Sequence, residues 1–366
     1  MEKQEIFYRL ALGQVTGIGA KKQKYLLEHF KSAEEIFNSS PKHLKSLPFL
    51  NETSALSIKS FTDFSAIEKE MNYNDKNGII AISFDDDKYP QRLKNCVDAP
   101  LILFYKGNAN LNAQHTISVI GTRSYTEYGK KVCEEFVAAL ENSGITVYSG
   151  LAYGIDVIAH KACLKHKLPT VGVLAHGLSS IYPPAHSGVA KEMLEQGGLL
   201  SEYFSEEKAE KGNFPTRNRI VAGISDATIV IETDRKGGSM ITAEIAYSYN
   251  RDVFCYPGRS IDTKSAGCNY LIKSLKGQLI TNADDVLIAM NWKSTTPKKT
   301  SQRQLFIELE PDEDVVYTVL KDCNQIHIDE LYQKTGLTSS KIASAMLGLE
   351  MQGIIKVLPG KMISLV

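Results

Sequence analysis

From Ile79 to Leu287 the chain repeats one alternation: a short run rich in β-branched and other apolar residues, then a stretch with helical spacing. The runs lie at 117–120, 145–148, 170–174, 199–202, 228–231 and 253–256, and the stretches between them include 127–141, 156–165 and 241–249. A strand that is apolar along its whole length has no face to give to water. Such runs, separated by helices, imply a parallel sheet covered on both sides. The expected fold class is therefore α/β, a Rossmann-like doubly wound parallel sheet spanning 78–290. In such sheets a ligand binds past the carboxyl ends of the strands, where the strand order reverses.

The flanks have a different texture. Residues 1–70 read as short helices around VTGIGAKKQKYLLEHF, where Gly17, Ile18 and Gly19 turn into a helix beside Lys21, Lys22 and Lys24. This is the pattern of a helix-hairpin-helix (SAM-like) module. Its turn either presents backbone N–H groups to a phosphate or only packs helices, and both readings stand. LKSLPFLNETSALSI is a second copy without the glycines, expected to be structural. A basic linker at 293–308 opens with KSTTPKKTSQRQ, which contains no acid. Residues 309–366 then give three helical patterns, 314–321, 328–335 and 339–351, and a hairpin turning at Pro359–Gly360, together a winged helix whose reading helix would be 339–351.

Forty-two basic residues balance forty-two acidic ones, so any attraction for a polyanion has to be local. No apolar run approaches the roughly 18 residues that span a bilayer, and a cytoplasmic protein without membrane contact is expected. The six cysteines are scattered, with no C-x-x-C pair, as befits reduced core thiols.

The local charge is most suggestive in FPTRNRIVAG, 214–223. Pro215 suits a first helical turn, which would place Arg217 and Arg219 at a helix start, where added cations cost roughly 0.3–1 kcal/mol each unless an anion binds. Three further loops share this anion-binding texture. GTRSYTEYG carries Arg123 just past a strand, SGLAYGID offers small residues from Ser149 and Gly150 onward, and KGGSMITAE turns through Gly238 and Ser239 into a helix. Converging on one rim with three arginines among them, these loops favour a phosphate site. Lys208 and Lys211 add positive charge just before Phe214. Asp156 and His160 stand four apart on one helix face, but with no third ligand a helix-start carboxylate and a packed histidine explain them better than a metal site does. The glycine loops do not form G-x-G-x-x-G, and no cofactor is implied.

Taken in order, VIGTRSYTEYG, SGLAYGIDVIAH, GVLAHGLSSIYP, LLSEY, FPTRNRIVAGIS, GGSMITAEIA and VFCYPG followed by GCNYLI resemble the DNA-processing protein A (DprA/Smf) family. The resemblance implies a non-catalytic protein that binds single-stranded DNA, protects incoming DNA in natural transformation, loads the RecA recombinase and forms homodimers. It implies that Arg123, Arg217 and Arg219 hold backbone phosphates and that Phe214 offers a face to an unstacked base; the loop SEEKAEKGN before Phe214 departs from the family in lacking prolines, so Lys211 is a candidate from its local charge alone. Ser149, Gly150, Gly238 and Ser239 would lend N–H groups or hydroxyls to the same groove, and Asn218 would tie the loops together. The segment 269–281 is one candidate edge for self-pairing.

Two other readings use the same fold. KGGSMITAE keeps the glycines and Glu244 of the P-G-G-x-G-T-x-x-E motif of phosphoribohydrolases but has Met240 and Ile241 where that motif has glycine and threonine. A nucleotide-sensing module without DNA affinity is the third possibility. The winged helix, with eight acids against five lysines from Glu310 onward, is poorly equipped to hold duplex and is expected to contact protein or tune self-association.

Overall fold

A computed structural model describes residues 3–292, 309–323, 325–358 and 362–365. The basic linker 293–308 and the Pro359–Gly360 turn lie outside the described residues. The chain forms two compact units, Met1–Ser294 and Thr295–Val366.

In the larger unit, six helices come first: α1 Lys3–Gln14, α2 Ala20–His29, α3 Ala33–Asn38, α4 Pro41–Ser46, α5 Glu52–Ser60 and α6 Ser65–Asn77. Nine strands follow: β1 Ile80–Ser83, β2 Ile102–Gly107, β3 Thr116–Ile120, β4 Thr146–Ser149, β5 Thr170–Val173, β6 Gly198–Ser201, β7 Ala227–Val230, β8 Asp252–Cys255 and β9 Gln278–Leu279. Among them run α7 Gln91–Lys94, α8 Glu127–Ala138, α9 Ile155–Lys165, α10 Ser187–Gln196, α11 Asn213–Gly223, α12 Gly238–Ser248 and α13 Ala266–Lys273, with α14 Ala283–Ala289 closing the unit.

The strand order is β1-β2-β6-β5-β4-β3-β7-β8-β9. From β6 to β9 every neighbour is parallel, whereas β1 on β2 and β2 on β6 are antiparallel. The chain winds outward from β3 to β6, then restarts at β7 on the other side of β3. The order therefore reverses between β3 and β7, and that is where a crevice opens.

All six expected strands are present within a residue or so. β1, β2 and β9 were not expected: β1 is half-exposed and β9 is a two-residue edge. Both faces are covered, as the apolar runs required. Ile117, Val119 and Val147 pack with Phe136 of α8 and Ile158 of α9 on one side, while Ile120, Tyr148 and Val171 pack with Ile220 of α11 and Ala243 of α12 on the other. Five of the six cysteines are buried and all are free. Among the described residues no helix is long and apolar enough to cross a membrane.

Helices α1–α6 build their core from Leu10, Leu26, Ile36, Leu44 and Ile58, and share it with Leu101, Ile102 and Phe104 around β2. Gly17 adopts the left-handed conformation (φ +81°) that its turn demands. Lys22 bends back to donate to the Gly17 carbonyl (3.0 Å) and Ser54 Oγ (2.7 Å), and Lys24 lies over the Phe84 ring (4.3 Å). With two of its lysines turned inward, the glycine turn favours the packing reading.

The smaller unit has α15 Pro311–Cys323, β10 Gln325–His327, α16 Ile328–Thr335, α17 Ser339–Met351, β11 Ile355–Leu358 and β12 Met362–Leu365. Its sheet runs β10-β12-β11, antiparallel throughout, over a core of Val316, Leu320, Leu331, Ile342, Leu349 and Ile363. Lys341, the sole cation of α17, forms an ion pair with Asp312 (3.2 Å), while Leu347 and Met351 stand exposed.

Candidate nucleic-acid interface

A cleft of about 670 Å³ opens at the carboxyl ends of β3, β4 and β7, at the reversal of strand order. Of the residues singled out from sequence, Arg123, Gly150, Lys211, Phe214, Arg217, Asn218, Gly238 and Ser239 line it; Ser149 and Arg219 do not.

The two arginines of FPTRNR part company. Helix α11 begins at Asn213, two residues before Pro215, so Arg217 and Arg219 fall in its second turn and the first-turn penalty does not apply. Two residues apart on a helix means roughly 200° apart around it, hence opposite sides. Arg217 is buried. Its Nη1 donates to the carbonyls of Gly150 (2.6 Å) and Val173, and its Nε to Asn218 Oδ1 (3.3 Å). Burial lowers its pKa to about 10, against the opposing pull of Asp156. A Cβ on Gly150 would come within 2.6 Å of this guanidinium, so glycine is what lets the arginine lie beneath the loop. Arg217 is therefore a brace joining the ends of β4 and β5, and it forms the back wall of the cleft.

Arg219 points away, pairing with Glu202 and donating to the Asp98 carbonyl (2.5 Å). The expectation that it shares the groove with Arg123 is corrected: its charge is matched by an acid at the end of β6. Ser149 is corrected too. Its side chain is fully buried and its hydroxyl donates to the Val119 carbonyl (2.6 Å), so that donor is spent inside the sheet.

What remains at the mouth is a smaller but better-exposed set. Arg123, on the loop between β3 and α8, is exposed and has no ion pair among the described residues; its guanidinium sits 5.4 Å from the centre of the Phe214 ring. Lys211 is also exposed and without an ion pair among the described residues. Phe214 keeps part of its surface in solvent, with the exposed ring of Tyr182 5.9 Å away. Helix α12 starts at the cleft with Gly238 in open space, so first-turn N–H groups and the positive end of the dipole face the same volume. The Ser239 hydroxyl is committed to Thr233 Oγ1 (2.7 Å), leaving its backbone as the available donor. Asn218 accepts from Arg217 and brings its amide to within 3.5 Å of the Gly238 carbonyl, between α11 and α12.

Sequence reasoning missed Asp156 and Tyr182 as lining residues. Asp156 is a buried carboxylate on the cleft wall, its pKa raised by desolvation and pulled back by Arg217. Its proximity to an arginine 61 positions along is set by tertiary structure alone. Among the described residues no group of His, Cys, Asp and Glu could hold a metal ion. His160 instead hydrogen-bonds Thr170 Oγ1 through Nδ1 (2.7 Å), and burial drives its pKa from 6.5 to about 3. A base whose folded-state pKa is lowered contributes no penalty above pH 6.5, and stability falls as the pH drops from there toward 3, because the unfolded chain takes a proton the fold refuses. The expected slope well below pH 6.5 is about 1.4 kcal/mol per pH unit. Urea midpoints at pH 7.5 and 5 should show that loss in the native chain and much less of it in His160→Gln. Equal losses in both would assign the acid sensitivity elsewhere.

Glu244, the residue on which a hydrolase reading depends, does not line the cleft; it pairs with Lys276 (3.3 Å) on the outer side of α12.

Comparison with known proteins gives consistent results. A family model described as "DNA recombination-mediator protein A" matches residues 80–291, and one described as "DprA winged helix domain" matches 298–361. Protein Smf of Synechocystis sp. is 30% identical over 98% of this chain and 98% of its own length. DNA processing protein DprA of Streptococcus pneumoniae is 40% identical over 57% of this chain and 73% of its own. The X-ray structure of DprA from Streptococcus pneumoniae superposes with a TM-score of 0.67 at 32% identity, covering 77% of this chain and 97% of that one. A structure of DNA processing protein A from Helicobacter pylori, described for that protein's single-stranded DNA binding mode, gives a TM-score of 0.53 at 29% identity, covering 58% and 95%.

Proposed function

We propose that this chain, which belongs to the DNA recombination-mediator protein A (DprA) family, binds single-stranded DNA in the cleft between β3 and β7. The observation that carries the reading is Arg123: an exposed cation without an ion pair among the described residues, held over the Phe214 ring at the cleft mouth. Single-strand binding needs a local positive track and aromatic faces for unstacked bases, each stacked base being worth roughly 1–3 kcal/mol, and it needs no overall positive charge. A net charge of zero with Arg123, Lys211, Phe214 and Tyr182 gathered at one opening fits that requirement. A duplex keeps its bases stacked inside and could offer the ring nothing.

In this reading Arg123 and Lys211 hold phosphates, Phe214 takes a base, the N–H groups of Gly238 and Ser239 receive a further phosphate oxygen, and Gly150, Arg217 and Asn218 shape the groove. The protein works by binding and hand-over, without a reaction of its own. The wider role, protection of incoming DNA in transformation in the cytoplasm, loading of RecA and homodimerisation, is proposed from family membership. The exposed β9 edge is the candidate surface for self-pairing, and the winged helix, its Lys341 already paired, is the candidate for contacting protein.

The test is fluorescence anisotropy of labelled single-stranded and duplex oligonucleotides from low to moderate salt. Tighter binding of the single strand, with log K falling steeply against log salt, is the expected result. Equal affinity for duplex would sink the stacking argument. Saturable binding of mononucleotides with no response to oligonucleotides would replace it with a nucleotide sensor.

A further inference from the structure

The geometry points to Glu232 as the residue that positions Arg123, although Glu232 does not itself line the cleft. The loop from Thr122 to Thr126 has local support, the Ser124 N–H donating to Thr122 Oγ1 (3.2 Å) and the Ile155 N–H to the Thr122 carbonyl (3.2 Å), and both of its ends are tied to Glu232, which follows β7. At the near end, the Thr122 N–H donates to the Glu232 backbone carbonyl (2.7 Å). At the far end, the Glu232 carboxylate accepts from the Thr126 N–H through Oε2 (2.9 Å) and from the Thr126 hydroxyl through Oε1 (2.6 Å). Thr126 in turn caps α8 by accepting from the Gly129 N–H (3.1 Å). Between these two anchors Arg123, Ser124 and Tyr125 form an exposed arch.

Two features make the arrangement specific. Two donors converge on one side chain, which suits a carboxylate, an acceptor at both oxygens; an amide has one acceptor oxygen, so the Thr126 hydroxyl would have to turn round and accept, and the charge assistance would be lost. Glu232 is also buried beneath Gly129, where an added Cβ would lie 2.3 Å from Oε2, so the carboxylate reaches Thr126 only because position 129 has no side chain. An arginine on a free arch would lose conformational freedom on binding a phosphate, whereas one on a clamped arch has lost it already. Glu232 therefore sets affinity through Arg123, without touching nucleic acid.

The inference rests on the reading of Arg123 as a phosphate contact, and the experiment separates the two. Single-strand affinity is measured by anisotropy on the full chain for Arg123→Ala, Glu232→Gln, Gly129→Ala and the Arg123→Ala, Glu232→Gln double variant, each checked by thermal melting. Loss of an ordinary buried hydrogen bond corresponds to about a tenfold change in Kd. Glu232→Gln is expected to show that loss, and so is Gly129→Ala, which pushes the carboxylate aside while keeping the glutamate at position 232. The double variant should bind no more weakly than Arg123→Ala alone, a result that general loosening of the fold would not give. Thr126→Ser, which keeps both donors, should bind as the native chain does. Full affinity in Glu232→Gln, or an additive loss in the double variant, overturns the clamp while leaving the phosphate reading intact. Native affinity in Arg123→Ala overturns both.

Discussion

Arg123→Glu is expected to weaken single-strand binding by about a hundredfold at moderate salt while leaving the melting temperature unchanged. The size follows from removing a charge-assisted phosphate contact, worth about 1.5–3 kcal/mol, and placing a repelling charge at the cleft mouth. The unchanged stability follows from what Arg123 does in the fold: it is exposed, and its guanidinium, without an ion pair among the described residues, lies over the face of the Phe214 ring. Fewer phosphates would then be neutralised, so the slope of log K against log salt should become shallower by about one. Anisotropy titrations at several salt concentrations give both quantities. Binding that persists with an unaltered slope would move the phosphate path off this cleft and leave Arg123 a solvated surface cation. Phe214→Ala should behave differently, weakening binding with the slope intact, because stacking releases no counterions.

The contrast between these variants shows where the sequence was informative. Strands apolar on both faces predicted a sheet covered on both sides, and the core on either side of β3 and β4 is what that pattern demands. The loops of the cleft were legible for a related reason, since glycine and small residues just past a strand mark the place where backbone meets ligand. The fate of individual charges was not legible. Arg219 is matched by Glu202, and what brings them together is the placement of β6 against the antiparallel β2 edge, which repetition of β-α units does not reveal. Arg217 is covered by Gly150, 67 positions earlier, through a hydrogen bond no local pattern contains. The helix-start argument for these arginines depended on a boundary, and two residues of displacement removed it. Ser149 failed because a residue at a strand end still alternates with its neighbours, and its hydroxyl turned inward to β3.

Arg217→Ala should therefore produce the opposite phenotype to Arg123→Glu, a large loss of stability. The substitution leaves the Gly150 and Val173 carbonyls without their donor and Asp156 buried without a neighbouring cation. Removing one partner from a buried charged arrangement costs about 3–5 kcal/mol, because what remains is desolvated and unmatched. For a unit of this size that corresponds to a drop in Tm of about 10 °C. Arg217→Lys should recover only part of the loss, since an ammonium cannot reproduce the fixed fork of a guanidinium. Asp156→Asn introduced into Arg217→Ala should recover more than additivity allows, the two groups being coupled through charge. Thermal melting of five chains, the native protein, Arg217→Ala, Arg217→Lys, Asp156→Asn and the double variant, tests this, and the same samples in the anisotropy assay decide between brace and contact. A brace shifts Tm and, in the lysine variant that still folds, leaves the salt slope alone. Should Arg217→Ala melt with the native chain and lose only affinity and slope, the guanidinium would have to leave its carbonyls to meet phosphate. Arg217 would then be a phosphate contact after all, beside Arg123 and without Arg219.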